Sequence, residues 1–96
     1  AYNNDAQAQL RLIIAAEKIR RMETDAYYVS VFPHTDSVNI NLRLSIPVTG
    51  QWGYQTFADN TAIPPTCCAQ ATRDGFDNRT LRMRDTEDNP QVGACP

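Results

Sequence analysis

From Asn3 to about Tyr27 the chain runs without a single Gly or Pro and is dense in Ala, Gln, Leu, Arg and Glu, a composition that strongly favours helix. At about 1.5 Å per residue, a helix over 3–27 reaches on the order of 36 Å, longer than a compact globule of this size is wide. One end must then project from the domain or rest on something else. Whatever the remaining residues build has to sit on this rod.

Placed at about 100° per residue, Leu12, Ala15, Ala16, Ile19, Met22 and Ala26 fall in one arc roughly 120° wide, the width of a core-facing stripe. Leu10, Ile13 and Ile14 lie outside that arc, with Ala6 and Glu17 beside them. A helix resting on one sheet needs one apolar side, and the first half of this one has two. The Leu12 to Ala26 stripe is expected to be covered by the rest of the chain. Leu10, Ile13 and Ile14 are then either covered by a partner or a scatter of exposed apolar residues such as any surface carries; if the same polypeptide encloses all three, the case for a subunit that assembles through this patch collapses.

Ninety-six residues make one domain, near the lower end of what a single core stabilises unaided. The net charge of −2 gives no general drive towards nucleic acid or anionic lipid. Lys18, Arg11, Arg20 and Arg21 decorate the helix, and Arg79, Arg82 and Arg84 cluster late in the chain. The three cysteines, Cys67, Cys68 and Cys95, lack the spacing of a zinc site, and the one histidine, His34, has no ligand-like neighbour. A bond from Cys95 to one of the adjacent pair would close a loop of about 28 residues, stabilising by about 3 kcal/mol or more on the chain-entropy model, and would point to an oxidising compartment. The remaining thiol is then a small buried hydrophobe or a site of intermolecular pairing.

Asn3, Asn4 and Asp5 can cap the helix, although the chain opens at Ala1 in what reads as helix already under way, as in a processed or truncated polypeptide. Thr24 to Val29 brings in β-branched and aromatic residues before Pro33, so the helix ends between Ala26 and Val31. Residues 28–37 form a connecting loop that contains His34, for which no serine or cysteine nucleophile can be argued. Val38, Ile40, Leu42, Leu44 and Ile46 alternate strictly with Asn39, Asn41, Arg43 and Ser45, the pattern of a strand with one buried face. Pro47 ends it, and Gly50 and Gly53 bracket a turn around Gln51 and Trp52, with Trp52 over the sheet edge or the helix end.

Gly53 to Ala58 reads as the next strand, with Tyr54 and Thr56 on one face. Thr66 to Thr72 reads as another, with Cys67, Ala69 and Ala71 on a face small enough for a helix to approach. That leaves Cys68 outward, within reach of the tail. Arg73 to Asn78 makes a hairpin turn centred on Asp74 and Gly75, and Arg79 to Arg84 closes the sheet with Leu81 and Met83 inward. The acidic run Asp85, Glu87, Asp88 and Asn89 lacks the spacing of a defined calcium loop and reads as a solvated turn. The fold class is thus α+β: a helix over 3–27, a loop over 28–37, a three- to four-stranded antiparallel sheet within 38–84, and a disulfide-tethered tail over 85–96.

The run Ala1-Tyr2-Asn3-Asn4-Asp5-Ala6-Gln7-Ala8-Gln9-Leu10-Arg11, the helix exit Ala26-Tyr27-Tyr28, Leu44-Ser45-Ile46-Pro47 leading into Trp52-Gly53-Tyr54, and Cys68-Ala69-Gln70-Ala71 resemble the corresponding parts of type IV pilins and type II secretion pseudopilins. The resemblance covers nearly the whole chain. It implies a soluble domain whose helix packs among neighbouring subunits of a filament, and it supplies a partner for the patch at Leu10, Ile13 and Ile14. Glu17, Arg20 and Arg21 would add contacts between neighbours. It also implies a cell-surface or extracellular filament, with anchorage in the inner membrane before assembly through a segment upstream of these residues. The family's sheet commonly begins after a loop, so the resemblance leaves Asn39 to Ser45 open between the strand its alternation gives and such a loop or short helical turn.

No nucleophile with its base, phosphate-cradling loop or paired carboxylates can be argued from the residues, so no enzyme activity and no cofactor are expected. The expected function is a structural subunit of a pilus or pseudopilus, assembling with copies of itself or related pilin subunits. A rival from another class is a minor pilin-like adaptor that binds DNA or a surface partner through Arg79, Arg82 and Arg84. A third is a small secreted redox or inhibitor domain using Cys67 and Cys68. The disulfide is expected between Cys68 and Cys95, with Cys67 as the alternative.

Overall fold

The computed structural model describes residues 2–31, 34–46, 52–73, 80–87, 89–93 and 95, with the side chains of 2–5 left aside. Its order is α1 (Tyr2–Thr24), α2 (His34–Leu42), β1 (Trp52–Asp59), β2 (Thr66–Arg73), β3 (Thr80–Arg84) and β4 (Gln91–Val92). The strands form one antiparallel sheet in sequence order, so the chain is α+β with both helices on the sheet. The longest dimension is 38 Å, close to the length of α1 itself, and packing reaches back to the fully buried Ala6. The expected projecting end is therefore absent over the packed part of the helix, because the domain is drawn out along it.

The helix stops earlier than its composition suggests. Asp25 takes a left-handed conformation with φ 64°, and its N–H returns to the Arg21 carbonyl at 2.7 Å, which closes the last turn. The Thr24 hydroxyl stands 3.0 Å from the Arg20 carbonyl.

The largest departure from the sequence pattern is at 38–46. Residues 34–42 are helical, and the expected strand does not form. Ser37, Val38 and Leu42 share the buried side, while Ile40, in phase with the apolar alternation, is 76% exposed. Two asparagines account for it. Asn41 Nδ2 donates to the Ser37 carbonyl one turn back at 2.9 Å. Asn39 brackets Ile46, accepting its N–H at 2.8 Å and donating to its carbonyl at 2.7 Å. Arg43 is left-handed at φ 58°, and Leu44 N–H bonds the Asn39 carbonyl at 2.9 Å, the six-to-one closure of a helix end. Leu44 and Ile46 then turn inward to the core from an irregular segment.

The sheet follows its sequence closely. Tyr54 pairs with Ala71, Thr56 with Ala69 and Ala58 with Cys67, while Ala69 and Ala71 face Met83 and Leu81 across the next ladder. One side of the sheet thus carries Trp52, Tyr54, Thr56, Cys67, Ala69, Ala71, Leu81 and Met83, all buried. Trp52 opens β1 inside the core rather than lying over an edge. The expected turn centred on Asp74 and Gly75, and that around Gln51, lie outside the described residues. On the other side, Cys68 is bonded to Cys95, Cys95 N–H donates to Gln70 Oε1 at 3.0 Å, and Gly93, at φ 125°, returns its N–H to the Thr80 carbonyl at 2.9 Å.

The outer edge of β1 is closed by hydroxyls. Thr56 N–H donates to Ser30 Oγ at 2.9 Å and Tyr54 N–H to Thr35 Oγ1 at 3.0 Å. The Thr56 hydroxyl accepts from Ser30 N–H at 2.9 Å and donates to the Tyr28 carbonyl at 3.0 Å. Such an edge offers little to an incoming strand. Thr56→Val keeps the shape, removes the hydroxyl that donates to the Tyr28 carbonyl and leaves the Ser30 N–H only its longer bond to the Thr56 carbonyl at 3.4 Å, so urea unfolding should show a loss of about 1–3 kcal/mol. Thr56→Ser, which keeps the hydroxyl, should lose less.

Candidate functional site

Two opposite faces of α1 are apolar, and the structure assigns them in reverse of the sequence expectation. Leu10 and Ile13 are wholly enclosed, Ile14 is 2% exposed, and Ala6 and Glu17 are enclosed with them. Their spacing of three and four residues makes one helical stripe, and it meets the small side chains of β2 together with Leu81 and Met83 of β3. Leu12, Ile19 and Met22, expected in the core, are 47%, 59% and 85% exposed. Ala8 and Ala15 lie open on the same side.

The reason is volume. Cys67, Ala69 and Ala71 leave a wide trough, which three adjacent large aliphatics fill better than a stripe interrupted by alanines. Glu17 disguised the inner face, since a carboxylate in the middle of a stripe reads as solvated.

That carboxylate has a local partner. Glu17 Oε1 accepts the Tyr28 N–H at 2.7 Å, tying the exit of the helix back to a point about two turns before its end. Oε2 is buried without a hydrogen-bond partner. Burial pushes the carboxyl up to about 7, against the opposing pull of the Tyr28 N–H and the Arg20 charge. Because the folded state holds this proton more tightly than the unfolded chain, the group's contribution is greatest below its ordinary value near 4.5, falls as pH rises to about 7, and is level above.

The remaining residues expected at an assembly interface also turn inward. The Arg20 guanidinium lies 5.1 Å from the centre of the Tyr28 ring and donates to the Asn41 carbonyl at 2.9 Å, so it bridges α1 and α2. Arg21 lies 5.4 Å from the Tyr27 ring centre, whose hydroxyl donates to Asp85 Oδ2 at 3.2 Å. Leu10, Ile13, Ile14, Glu17, Arg20 and Arg21 are all engaged within their own chain.

The bridge is Cys68–Cys95, and Cys67 is a buried thiol on the opposite side of the strand. Burial, with Glu17 and Asp85 adding to it, raises the Cys67 thiol far above its usual range. A thiol so placed is a poor nucleophile. His34 begins α2 rather than lying in a loop, and its Nδ1 is 3.1 Å from Ser30 Oγ. Sequence reasoning missed this serine, four residues upstream. Its oxygen already accepts Thr56 N–H inside the fold, and the pair works as a structural tie.

Arg82 and Arg84 share the disulfide side of the sheet, opposite Gln70 and Cys68, while Arg79 lies outside the described residues. Arg84 borders a depression of about 310 Å³ together with Phe57, Asp59, Asp85 and Thr86, so carboxylates accompany the guanidinium. Around the acidic turn, Asp85 accepts from Tyr27, Glu87 Oε1 accepts Arg84 N–H at 2.9 Å, and Asn89 Oδ1 accepts from Arg11 at 3.1 Å. Asp88 lies outside the described residues, among which no group of three potential metal ligands converges.

Among the described residues, α1 carries three exposed large hydrophobics, Leu12, Ile19 and Met22, more than any other helix or strand. Compared with models of known protein families, with curated proteins and with solved structures, the chain matches none of them. For Glu17, thermal and urea unfolding of the native chain should show stability falling between about pH 5 and pH 7, by on the order of 2–3 kcal/mol. Glu17→Gln keeps an acceptor for Tyr28 and should flatten that slope; an unchanged slope would assign it to other groups.

Proposed function

We propose that this chain is a structural subunit that works by self-association through the outward face of α1. The observation that carries the reading is the row Leu12, Ile19 and Met22, exposed on the same helix whose opposite face fills the core. A monomer has no internal use for a second apolar stripe, and contiguous exposed apolar surface on a regular element marks contact surface.

The order of a long first helix, an antiparallel sheet and a disulfide-tethered tail supports likening it to the soluble domains of type IV pilins and type II secretion pseudopilins. Its work would then be filament assembly at or outside the cell surface, without catalysis, alongside copies of itself or related subunits. The case for a filament that rests on an uncovered patch at Leu10, Ile13 and Ile14 collapses, because the chain's own sheet encloses all three; the present reading stands on the exposed Leu12, Ile19 and Met22 alone. A disulfide accords with an oxidising compartment. No helix among the described residues is long and apolar enough to cross a membrane, so anchorage before assembly would fall to other residues. The adaptor reading through Arg82 and Arg84 is weaker, since Asp59 and Asp85 share the Arg84 depression and offset a phosphate-binding surface.

Sedimentation equilibrium over a concentration series up to about 1 mM tests the proposal. The native chain should associate reversibly, and the Ile19→Asp, Met22→Asp double variant should stay monomeric with its unfolding midpoint little changed. A native chain that remains monomeric throughout would contradict it.

A further inference from the structure

The outward residues of α1 are spaced in a way that specifies how two copies meet. Ala8, Leu12, Ala15, Ile19 and Met22 follow one another at intervals of four, three, four and three, and all five are exposed. That is the seam of a two-stranded coiled coil, apolar every 3.5 residues on average. It lies on the side of the helix away from Leu10, Ile13 and Ile14, so a second helix can pack there without disturbing the core.

Resting on the self-association reading above, we infer that the occupant is a second copy of this chain, with the two α1 helices parallel and in register. Like then meets like along the seam: Leu12 on Leu12, Ala15 on Ala15, Ile19 on Ile19 and Met22 on Met22. The charges beside the seam choose the direction. In a parallel pair, the residue flanking one side faces the residue five positions further on the other helix. Lys18 of each copy thus faces Glu23 of the other, giving two equivalent opposite-charge pairs, and Arg11 faces the neutral Ala16. Lys18 and Glu23 are both exposed.

The antiparallel arrangement, in which Leu12 would meet Met22 and Ala15 would meet Ile19, sets Lys18 against its own copy. Its favourable flanking pair would join Arg11 to Asp25. Arg11 already donates to Asn89 Oδ1 at 3.1 Å, and Asp25 lies past the helix end in a left-handed turn. Three large side chains on each copy make a small contact, below the roughly 1,200 Å² at which standard stable interfaces begin. The pair is therefore weak and reversible, and because the same face is used on both copies it closes as a dimer.

Single-cysteine cross-linking with diamide tests the register, and the buried Cys67 and bridged Cys68–Cys95 of the native chain serve as the background. Ile19→Cys alone should give a covalent homodimer, and so should Met22→Cys alone. A mixture of Leu12→Cys and Met22→Cys chains should give no excess of the mixed dimer over the two homodimers. By sedimentation, Lys18→Glu should weaken association about tenfold, through two lost pairs and two new repulsions. Exchanging both charges, Lys18→Glu with Glu23→Lys, should restore it. Association by sedimentation with cross-links confined to the mixed chains would overturn the parallel register and leave self-association standing. Absence of association and of every cross-link would overturn both.

Discussion

The fold depends on the fit between one stripe of α1 and one trough in the sheet. Ala6, Leu10, Ile13, Ile14 and Glu17 enter a trough that β2 keeps open with the small Cys67, Ala69 and Ala71 and that Leu81 and Met83 border from β3. Burial of three large aliphatics against it supplies on the order of 5–8 kcal/mol of transfer free energy. In a domain this small that is comparable to the whole net stability. Everything else is placed by it: the long axis, the point where the helix must end, and which face of α1 remains outside.

Glu17 marks where this contact gives way to local chemistry. Its carboxylate holds the Tyr28 N–H in the segment that leaves α1, and Tyr27 and Tyr28 of that segment are covered by Arg21 and Arg20. From there the chain runs beside β1, where Ser30, Thr35 and Thr56 exchange hydrogen bonds between hydroxyl and backbone that a further strand would otherwise make. The short β4 and the Cys68–Cys95 bridge secure the tail against the other part of the sheet. Closing a loop of that length contributes about 3–4 kcal/mol on the chain-entropy model.

The sheet was legible because period-two patterns are short-range. The reading of Gly53 to Ala58 and Thr66 to Thr72 differs by a residue or two from Trp52–Asp59 and Thr66–Arg73, and the small face of β2 was recognised as a docking surface for a helix. The bridge followed from which cysteine that face leaves outward. Three features were not legible. A wheel finds two apolar faces on α1 but carries no information about the depth of the surface opposite, and here depth decides. At 38–46, strict alternation coincided with a helix because the intervening asparagines close hydrogen bonds with Ser37 and Ile46 that a strand would have to find in a neighbour. The Ser30–His34 contact was hidden for a similar reason, since residues on either side of a helix start were assigned to one unstructured loop.

The most direct test of the account compares two isoleucines on opposite sides of one helix by urea unfolding at fixed pH and a concentration low enough to keep the chain monomeric. Ile13→Ala should lose about 2–5 kcal/mol, the cost of a cavity in a tight core, while Ile19→Ala should change stability by less than about 0.5 kcal/mol. A larger loss at Ile19 than at Ile13 would mean that α1 docks by its other face, and the arrangement described for both core and surface would be contradicted.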